Sequence, residues 1–277
     1  MHHGVLVAIG AGGLGQAVAR RMGTGRPVLL ADEDGECLLA AGTRLERAGY
    51  QVSAQKVDVS SPASVTALAR RAAGLGPVTH VVHTAGLSPA QADVSAILAV
   101  DLVGVALVVE EFGQVVAPGG AAVVIAGSAG HLFDRPLTAE ERRQLRRIPA
   151  RELPSLPVLR EKDFAGPGQA YGFAQHAGRL RVQEAARSWG ERGARINTIS
   201  PGVIATPWGQ AELAGPHGAA MRAALGTSPV PRLGTPEDIA AAAEFLLGAT
   251  AGFITGTDLL VDGGCTAVLT DLPPAPQ

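Results

Sequence analysis

The sequence predicts a doubly wound α/β domain with a seven-stranded, mostly parallel sheet covered by helices on both faces. Short apolar runs rich in β-branched residues alternate along the chain with longer helical patterns, and this alternation is typical of such domains. Nearly all of these runs are apolar throughout, as expected for strands that are buried on both faces. Hydrophobic residues make up 47% of the 277 residues, which is enough for a large core.

The predicted elements follow one another as strand and helix. Strands are predicted at residues 5–9, 28–31, 52–57, 78–83, 122–126, 195–200 and 258–261. Helices are predicted at residues 13–22, 35–48, 62–73, 92–116, 170–189 and 236–247. Because no linker divides them, we expect residues 1–264 to form a single domain. Residues 265–277 are predicted to form a C-terminal tail whose proline-rich end, from Asp271 onward, is disordered.

Two stretches interrupt the alternation. Residues 131–168 contain seven arginines and five prolines, and their segment 138–147 starts with the Thr-x-x-Glu pattern of a capping box, which predicts a helical, lid-like insertion. Residues 202–231 contain four prolines and are predicted to form an irregular loop. Both stretches follow strand ends, where such sheets usually hold substrates, and surface decoration is the alternative interpretation.

The composition excludes several classes of function. The 23 Lys and Arg residues are balanced by 25 Asp and Glu residues, so no basic field exists that would hold nucleic acid. Cys37 and Cys265 are the only cysteines, which predicts neither disulfides nor a metal site and favours a reduced, cytoplasmic setting. Asp101 interrupts the most apolar stretch, residues 94–109, and no basic segment precedes the first apolar run, so we expect no membrane span and no signal peptide.

A glycine-rich loop follows the first predicted strand. It reads Gly10-Ala11-Gly12-Gly13-Leu14-Gly15 and matches the pattern G-x-G-x-x-G. In this pattern the first glycine permits a tight turn, the second lets the backbone approach a pyrophosphate, and the third lets the helix pack closely, while the helix N-terminus attracts the anion. The pattern alone is weak in a chain with 36 glycines, but here it joins a predicted strand to a predicted helix, as a dinucleotide site requires.

Acidic residues at the next strand ends indicate which dinucleotide is bound. Asp32 ends the second strand, 22 residues after Gly10. A carboxylate there accepts hydrogen bonds from an adenosine ribose and repels a 2′-phosphate, so the sequence favours NAD(H) over NADP(H). Capping of the helix that starts at Gly35 is the alternative role for Asp32. Asp58 ends the third strand and is expected near the adenine.

The motifs in this order resemble the short-chain dehydrogenase/reductase family over almost the whole chain. The motifs that carry the resemblance are the glycine loop, Asp58-Val59, Ala85-Gly86, a helix start at Tyr171, Ser200-Pro201-Gly202, and residues 234–240 and 256–264. The resemblance implies a Rossmann-type domain that binds NAD(H) or NADP(H) and a small-molecule substrate. It also implies that residues 9–15 hold the phosphates and that Thr206 contacts the nicotinamide carboxamide.

Members of this family often form dimers or tetramers through their long central helices, so the resemblance implies a homodimer or homotetramer. The apolar helix predicted at residues 92–116 would suit such a contact, and a buried core face is the alternative explanation. The glycine loop departs from the family's commonest spacing, since it is one residue shorter.

The same resemblance implies a catalytic group of Asn, Ser, Tyr and Lys, in which Tyr exchanges a proton with the substrate oxygen and Lys lowers the tyrosine pKa. Tyr171 stands at the Tyr position. Gln175 occupies the Lys position, where it can bond to ribose hydroxyls but supplies no positive charge. His176, one residue and about 100° farther around the helix, is a candidate substitute.

The other two positions of the catalytic group are also altered. Aligning Ala129-Gly130 with the family's Ala-Gly puts Gly127 where Ser is expected. Ser128 lies one residue away and would turn aside in an extended segment, unless a bulge restores it. Asp101 occupies the Asn position and, if buried, needs partners in the site or on the backbone. The insertion adds His131 beside the expected site.

Three functions remain open from the sequence. The first is a NAD(H)-dependent oxidoreductase that acts on a hydroxyl or carbonyl of a small or medium organic substrate, with Tyr171 as the acid/base and Ser128 holding the oxygen. The second is a non-redox enzyme of specialised metabolism, such as a dehydratase, cyclase or isomerase, which the lost Lys and the long insertion suggest. The third is a non-catalytic NAD-binding protein.

Overall fold

The computed structural model describes residues 4–215 and 218–271 of the chain. Its strands are β1 (Val5–Ile9), β2 (Val28–Asp32), β3 (Val52–Lys56), β4 (Val78–His83), β5 (Val116–Ile125), β6 (Arg195–Pro201) and β7 (Asp258–Val261). Its α-helices are α1 (Gly13–Met22), α2 (Gly35–Arg47), α3 (Pro62–Leu75), α4 (Val94–Ile97), α5 (Val105–Val115), α6 (Ala139–Arg147), α7 (Pro167–Glu191), α8 (Pro207–Ala214), α9 (Gly218–Thr227), α10 (Pro236–Leu247) and α11 (Cys265–Asp271).

The strands form one parallel sheet in the order β3-β2-β1-β4-β5-β6-β7. The predicted doubly wound fold is therefore confirmed. The strand order reverses at β1, which pairs with β2 on one side and β4 on the other. In open α/β sheets, ligands bind beyond the carboxyl ends of the strands at such a reversal, so the topology directs attention to the loops after β1 and β4.

Both faces of the sheet are buried, as the uniformly apolar strands predict. Along β1, Leu6 and Ala8 belong to the buried cluster that includes side chains of α1, α2 and α10, whereas Val7 and Ile9 belong to the one that includes side chains of α3, α5 and α7. This alternation follows from the two-residue period of a strand. Each face needs its own layer of helices to keep these apolar side chains from water.

The start of β5 differs most from its predicted position. The strand was expected at residues 122–126 but begins at Val116, because the Ala-Pro-Gly-Gly segment 117–120 continues the strand instead of forming a turn. Val116 pairs with Val78, and the register then shifts before His80 pairs with Ala121. Gly119 lies in the shifted part of the strand and has a φ of +79°, a conformation that favours glycine.

The long helix predicted at residues 92–116 is interrupted by a π-helical segment. Helix α4 continues into this segment, Leu98–Gly104, before α5 begins. Asp101 lies in the middle of it, and π-helical turns occur frequently at functional sites. The apolar side chains of α5, among them Val105, Leu107 and Phe112, are buried within the chain. The alternative of a core face for this helix is therefore confirmed, and these side chains are not available for a dimer contact.

The lid-like role predicted for residues 131–168 is wrong for most of the insertion, and only its two ends, at Leu132 and Gly168, reach the site. Helix α6 forms as expected, with Thr138 and Glu141 completing its capping box. However, α6 and the turns after it pack along α5 and α7, where eight apolar side chains join the core: Leu137, Leu145, Ala150, Leu153, Leu156, Val158, Leu159 and Phe164. The insertion follows the outer side of these helices because its apolar residues need a core to join.

An ion pair between a buried arginine and an exposed glutamate attaches the insertion to the two helices. Arg181 on α7, which is 4% exposed, donates to the Glu110 carboxylate of α5 at 2.6 Å and to the Ile148 carbonyl at 2.5 Å. The Glu110 carboxylate in turn accepts from the Ala150 backbone N–H at 2.9 Å. The insertion is thus bonded to both helices through the same pair of charges.

The irregular loop predicted at residues 202–231 is also wrong, since it contains α8 and α9. The prolines misled the prediction because Pro207 occupies the first turn of α8, where its missing N–H costs nothing. Thr206 caps this helix by accepting from the Gly209 N–H at 3.1 Å. Part of the predicted tail is likewise helical, as α11, and the predicted disorder at residues 272–277 lies outside the described residues.

Candidate active site

The glycine loop forms a tight turn at the carboxyl end of β1. Gly10 has a φ of +103°, and a β-carbon on Gly15 would lie 1.9 Å from the Gly10 carbonyl oxygen, so both positions need glycine. Helix α1 starts after Gly12 with no capping side chain and no acidic residue in its first turn. Its first backbone N–H groups therefore have no side-chain partner, and together with the helix dipole they suit a phosphate.

Asp32 lies directly beside the glycine loop. Its Oδ2 accepts from the Ala11 N–H at 2.6 Å, and its Oδ1 accepts from the Asp34 N–H at 2.9 Å. The alternative role as the cap of α2 is wrong, because Asp34 caps that helix by accepting from the N–H groups of Glu36 and Cys37. Two backbone donors thus fix the Asp32 carboxylate at the end of β2.

Asp58 and Val59, which follow β3, were also expected to bind the cofactor, and their side chains lie in different environments. The Asp58 carboxylate accepts from the Ser60 N–H at 2.8 Å and from the Ser60 hydroxyl at 2.7 Å, and it is half-buried after β3. Val59 instead turns into the core. Its side chain packs against Gly104, where a β-carbon would lie 2.9 Å from Val59 Cγ2. The Asp58 carboxylate is thus held by its own turn at the end of β3, whereas the Val59 side chain belongs to the core.

A cavity of about 430 Å³ begins at the glycine loop and extends past the ends of β4, β5 and β6. Leu14, Ala85, Gly86, Pro201, Gly202 and Thr206 line it, as do Asp101, Ser128, Tyr171 and Gln175. Thr206 Cγ2 would lie 3.1 Å from a β-carbon on Gly13, which brings the start of α8 onto the glycine loop. The same cavity is thus lined by residues that were expected to bind the cofactor and by most of the residues that were expected to be catalytic.

Gly127 stands directly opposite the Tyr171 hydroxyl. A β-carbon on Gly127 would lie 3.0 Å from Tyr171 Oη and 3.5 Å from Gln175 Cγ. Ser128 does not turn away as an extended segment would require, because the chain turns into a short 3₁₀ helix, Ser128–Gly130, which keeps Ser128 on the cavity wall. The missing side chain at Gly127 leaves room for a substrate oxygen next to the Tyr171 hydroxyl. Ser128, the next residue in the sequence, lines the same cavity.

Asp101 is 3% exposed and lies on the wall of the same cavity. Its Oδ1 accepts from the Leu87 N–H at 2.8 Å, whereas its buried Oδ2 has no hydrogen-bond partner among the described residues. Burial raises the pKa of Asp101 to about 8, although the bond from Leu87 opposes the shift. The expected backbone bond is therefore present, but it satisfies only one of the two oxygens.

Tyr171 has acidic neighbours instead of a lysine. Its burial, followed by the nearby carboxyl groups of Asp101 and Glu212, raises the pKa of Tyr171 above its ordinary value. Gln175 supplies no charge, and the described residues that line the cavity include neither Lys nor Arg. At neutral pH the phenol therefore holds its proton, which suits an acid better than a base.

The two histidines predicted as candidates do not reach this cavity. His131 Nε2 lies 2.8 Å from Asp258 Oδ2, at the start of β7. His176 lies against the ring of Phe133, with 5.4 Å between the ring centroids, and burial lowers its pKa. Both predictions are wrong, because the turn after β5 directs His131 toward the sheet edge and the helical rotation directs His176 toward the insertion.

The wall formed by α8, α9 and α11 contains site residues that the sequence analysis missed. Trp208 Cη2 lies 3.4 Å from the β-carbon position of Gly86, and Glu212 accepts from the Ala90 N–H at 3.3 Å. The lining is otherwise mostly apolar: Leu14, Pro89, Val105, Ile125, Leu132, Val203, Ile204, Met221 and Leu269. The only available signal was the expectation that residues 202–231 hold the substrate.

Two kinds of feature are absent from residues 4–215 and 218–271. No group of three or more His, Cys, Asp or Glu side chains there is arranged to hold a metal ion. In the same residues, none of the helices combines the length and apolar character needed to cross a bilayer.

Known proteins resemble this chain in sequence and in fold. A family model described as short chain dehydrogenase matches residues 4–136, and one described as enoyl-(acyl carrier protein) reductase matches residues 159–266. The short-chain dehydrogenase/reductase bsc3 of Alternaria brassicicola is 41% identical over 270 residues, which cover 98% of each chain. D-threitol dehydrogenase of Mycolicibacterium smegmatis is 32% identical, over 94% of this chain and 92% of that protein.

Solved structures share the fold at lower identity. The crystal structure of levodione reductase superposes with a TM-score of 0.75 at 23% identity, covering 96% of this chain and 99% of the other. The motif order, the parallel sheet and the matches over nearly the full length agree with one another. The chain therefore belongs to the short-chain dehydrogenase/reductase family of oxidoreductases.

Proposed function

We propose that this protein is a NAD(H)-dependent oxidoreductase that transfers hydride between the nicotinamide and a carbonyl or hydroxyl carbon of a neutral, largely apolar substrate. The observation that carries the proposal is the position of Tyr171. Its hydroxyl faces the open space at Gly127, in the same cavity that Leu14 and Thr206 reach from the glycine loop. The proposed acid, the space for the substrate oxygen and two of the residues expected to contact the cofactor therefore line one cavity.

The residues around the glycine loop fit a dinucleotide. The uncapped start of α1 offers N–H groups to the pyrophosphate, and the anchored Asp32 carboxylate keeps lone pairs for ribose hydroxyls. Glu33, Asp34 and Glu36 follow Asp32 and add negative charge where a 2′-phosphate would lie. This charge supports NAD(H) over NADP(H).

The bound nicotinamide supplies the hydride, and the chain supplies the proton and the positioning. In the direction of reduction, Tyr171 donates its phenolic proton to the substrate oxygen at Gly127. Ser128, on the same wall, is available to hold that oxygen. Because the pKa of Tyr171 is raised, the protonated form needed for reduction is present at neutral pH, whereas oxidation needs the scarce phenolate and should become faster as the pH rises.

The lining supports a neutral and mainly apolar substrate. Trp208, Met221 and Leu269 form an apolar wall, and the acidic Glu212 disfavours carboxylates and phosphates, for which the described lining offers no Lys or Arg. A polyol would leave several hydroxyls unpaired against this wall, at a cost for each of them. One or two oxygens on a hydrocarbon frame of medium size match the lining better.

The test is NADH oxidation in the presence of a panel of alicyclic and polycyclic ketones, with keto acids and keto sugars as polar comparators. The variant Tyr171→Phe should lower kcat/KM by about 10²–10⁴-fold. Tyr50→Phe is the matched control, because Tyr50 is the other tyrosine of the chain and its hydroxyl bonds to the Arg20 carbonyl, away from the cavity. Full activity of the Tyr171→Phe protein would refute the assignment.

A non-redox reaction on the same scaffold is the second candidate. It is favoured by Gln175 and Gly127, which leave the site without the cation and the serine that the family resemblance implies. A dehydratase, cyclase or isomerase would use the neutral Tyr171 and Asp101 as acids and would consume no nicotinamide. Product formation without a matching loss of NADH would support this candidate over the first.

A further inference from the structure

The turn that carries Ser128 has almost no side chains of its own to hold it in place. From Ala126 to Gly130 the chain reads Ala-Gly-Ser-Ala-Gly, so within this stretch Ser128 alone has a side chain that can form hydrogen bonds. The turn is a short 3₁₀ helix, in which the His131 N–H donates to the Ser128 carbonyl at 2.9 Å. Glycines and isolated 3₁₀ turns deform easily, so the position of Ser128 depends on an anchor outside the turn.

His131 is the first residue after this turn, and its side chain reaches the edge strand β7. Its Nε2 lies 2.8 Å from Asp258 Oδ2, and a carboxylate acceptor requires the proton on this nitrogen. The Asp258 side chain is 8% exposed, and its Oδ1 accepts from the hydroxyls of Thr198 at 2.5 Å and Ser200 at 2.8 Å. Arg179 Nε of α7 lies 3.6 Å from Oδ2. The acceptor of the His131 bond is therefore itself held by β6 and lies beside a cation of α7.

The sheet register explains how this carboxylate comes to lie inside the molecule. Val124, Thr198 and Asp258 are partners on neighbouring strands, so their side chains point to the same face of the sheet. Val124 belongs to the buried cluster that includes side chains of α7. A carboxylate buried on such a face costs free energy unless donors accompany it. The chain thus keeps a buried acid and its matched donors next to the turn, and none of them takes part in the proposed chemistry.

Helix α7 supports the turn in a different way. A β-carbon on Gly130 would lie 2.8 Å from the His176 backbone nitrogen, and the Ala129 carbonyl oxygen lies 3.4 Å from the β-carbon position of Gly172. Close packing of this kind limits how near the turn comes to the helix. A hydrogen bond is directional, so the bond from His131 also limits how the turn is rotated against the helix.

We propose that His131 is a positioning residue: by donating to Asp258, it fixes the turn that holds the Ser128 hydroxyl against the substrate oxygen. This inference rests on the proposed reduction, in which Ser128 holds that oxygen beside Tyr171. Strand β6, which holds Asp258 through two hydroxyls, ends at Pro201 on the cavity wall. The bond from His131 therefore ties the turn to a strand that also shapes the cavity.

His131→Leu and His131→Gln separate the hydrogen bond from the bulk of the side chain. Leucine fills space but cannot donate, whereas the glutamine amide nitrogen can take the place of Nε2. Misplacement of a reacting group by about 1 Å can cost about 10²-fold in rate, so kcat for ketone reduction should fall about 10–100-fold in His131→Leu. KM for NADH should not change, and His131→Gln should recover most of the lost rate. An equal loss of kcat in both variants would overturn the proposal.

A double-mutant cycle tests whether His131 acts through Ser128. In the Ser128→Ala protein, His131→Leu should cause no further loss of kcat, because the hydroxyl that it positions is already absent. A substitution that only loosens the fold would instead lower kcat by the same factor in both backgrounds. Effects that multiply in this way would overturn the positioning role.

Two further measurements on the full-length protein need no substrate. In NMR spectra of the wild-type protein, the Nε2 proton of His131 should exchange slowly with water, and its signal should be absent from His131→Gln. In His131→Leu, the amides of Gly130 and residue 131 should exchange with deuterium about tenfold or more faster, while those of α7 keep their rates. Arg179→Met is the matched control, since Arg179 lies beside the same carboxylate but belongs to α7. It should leave the exchange of the turn unchanged.

The outcomes separate the hydrogen bond from the reaction. A His131 ring proton that exchanges freely in the wild-type protein would overturn the proposal, even if no variant folded. Unchanged amide exchange in His131→Leu, or an equal increase in Arg179→Met, would overturn it as well. If the exchange rates respond as expected but the wild-type protein reduces no ketone, the proposed function fails, and the positioning of Ser128 for that reaction fails with it.

Discussion

Gly127 and Tyr171 face each other so closely that a single methyl group on the glycine would lie 3.0 Å from the tyrosine hydroxyl. Few β-carbons in proteins approach an oxygen this closely, so the position excludes ordinary side chains unless Tyr171 moves. The space that a side chain at position 127 would occupy lies next to the Tyr171 hydroxyl. A substrate oxygen in this space would be within reach of the proposed proton donor.

Gly127→Ala tests the importance of that space. The added methyl group would occupy the substrate-oxygen position, so kcat/KM should fall about tenfold or more, which corresponds to about 1.4 kcal/mol of transition-state stabilisation. Gly74→Ala is the control, since a β-carbon on this exposed residue of α3 has no neighbour within 4 Å. Steady-state kinetics of both variants would check the prediction, and equal effects would contradict it.

Asp32→Asn tests the cofactor preference. Removal of the charge should weaken NADH binding and strengthen NADPH binding, shifting the ratio of the two Kd values by about tenfold or more, or about 1.4 kcal/mol. Calorimetric titration with each nucleotide measures the ratio. Glu33→Gln is the control for loss of charge alone, and the same shift in that control would argue against a specific role for Asp32.

Asp101 should make the folded protein less stable as the pH rises. Its pKa is about 8 in the folded chain, against the usual value near 3.8 in the unfolded chain, so its contribution to stability is largest below pH 4 and is lost through pH 8. The slope is at most about 1.4 kcal/mol per pH unit. Urea unfolding of the wild-type and Asp101→Asn proteins at pH 5 and pH 8 should show the variant gaining up to about 3–4 kcal/mol relative to wild type. A difference that does not change with pH would contradict this.

Arg181 should contribute strongly to the stability of the insertion. Arg181→Met keeps much of the side-chain volume but removes the donor to the Ile148 carbonyl and one of the donors to Glu110, at a cost of about 1–3 kcal/mol. Arg187→Met is the matched control on the same helix, because Arg187 is 87% exposed and pairs only with Glu191. Its cost should stay below about 0.5 kcal/mol. Chemical denaturation of both variants measures the two losses in the free energy of unfolding. Similar values would show that the Arg181–Glu110 pair adds little to stability.

The elements that the sequence predicted best are those whose ends are marked by local chemistry. The bounds of β1, β4, β7, α1 and α10 agree with the prediction because an apolar run ends there at a glycine, a proline or a polar residue. Prolines misled the prediction at α8, where Pro207 starts a helix, and at β5, where Pro118 lies within a strand. In both places the outcome depends on the position of the proline within the element, which composition does not report.

Within the site, the sequence predicted the residues at strand ends and helix starts better than those on helix faces. Gly127, Ser128 and Tyr171 could be placed because a strand end and a helix start determine where they lie. Trp208 and Glu212 could not, since nothing local determines which side of α8 meets the cavity. His131 and His176 were misplaced for the same reason, because a turn and a helical rotation depend on packing with distant parts of the chain.

The two walls of the cavity differ in how firmly they are attached to the rest of the molecule. Helix α7 buries eleven of its residues, whereas α8 buries none and the described part of α9 buries only Gly218. Segments with so few buried contacts open at low free-energy cost, so their backbone amides should exchange with deuterium much faster than those of α7. Substitutions in residues 207–215 and 218–227 should therefore be tolerated more readily than elsewhere, which makes α8 and α9 the natural target for laboratory evolution of the substrate range.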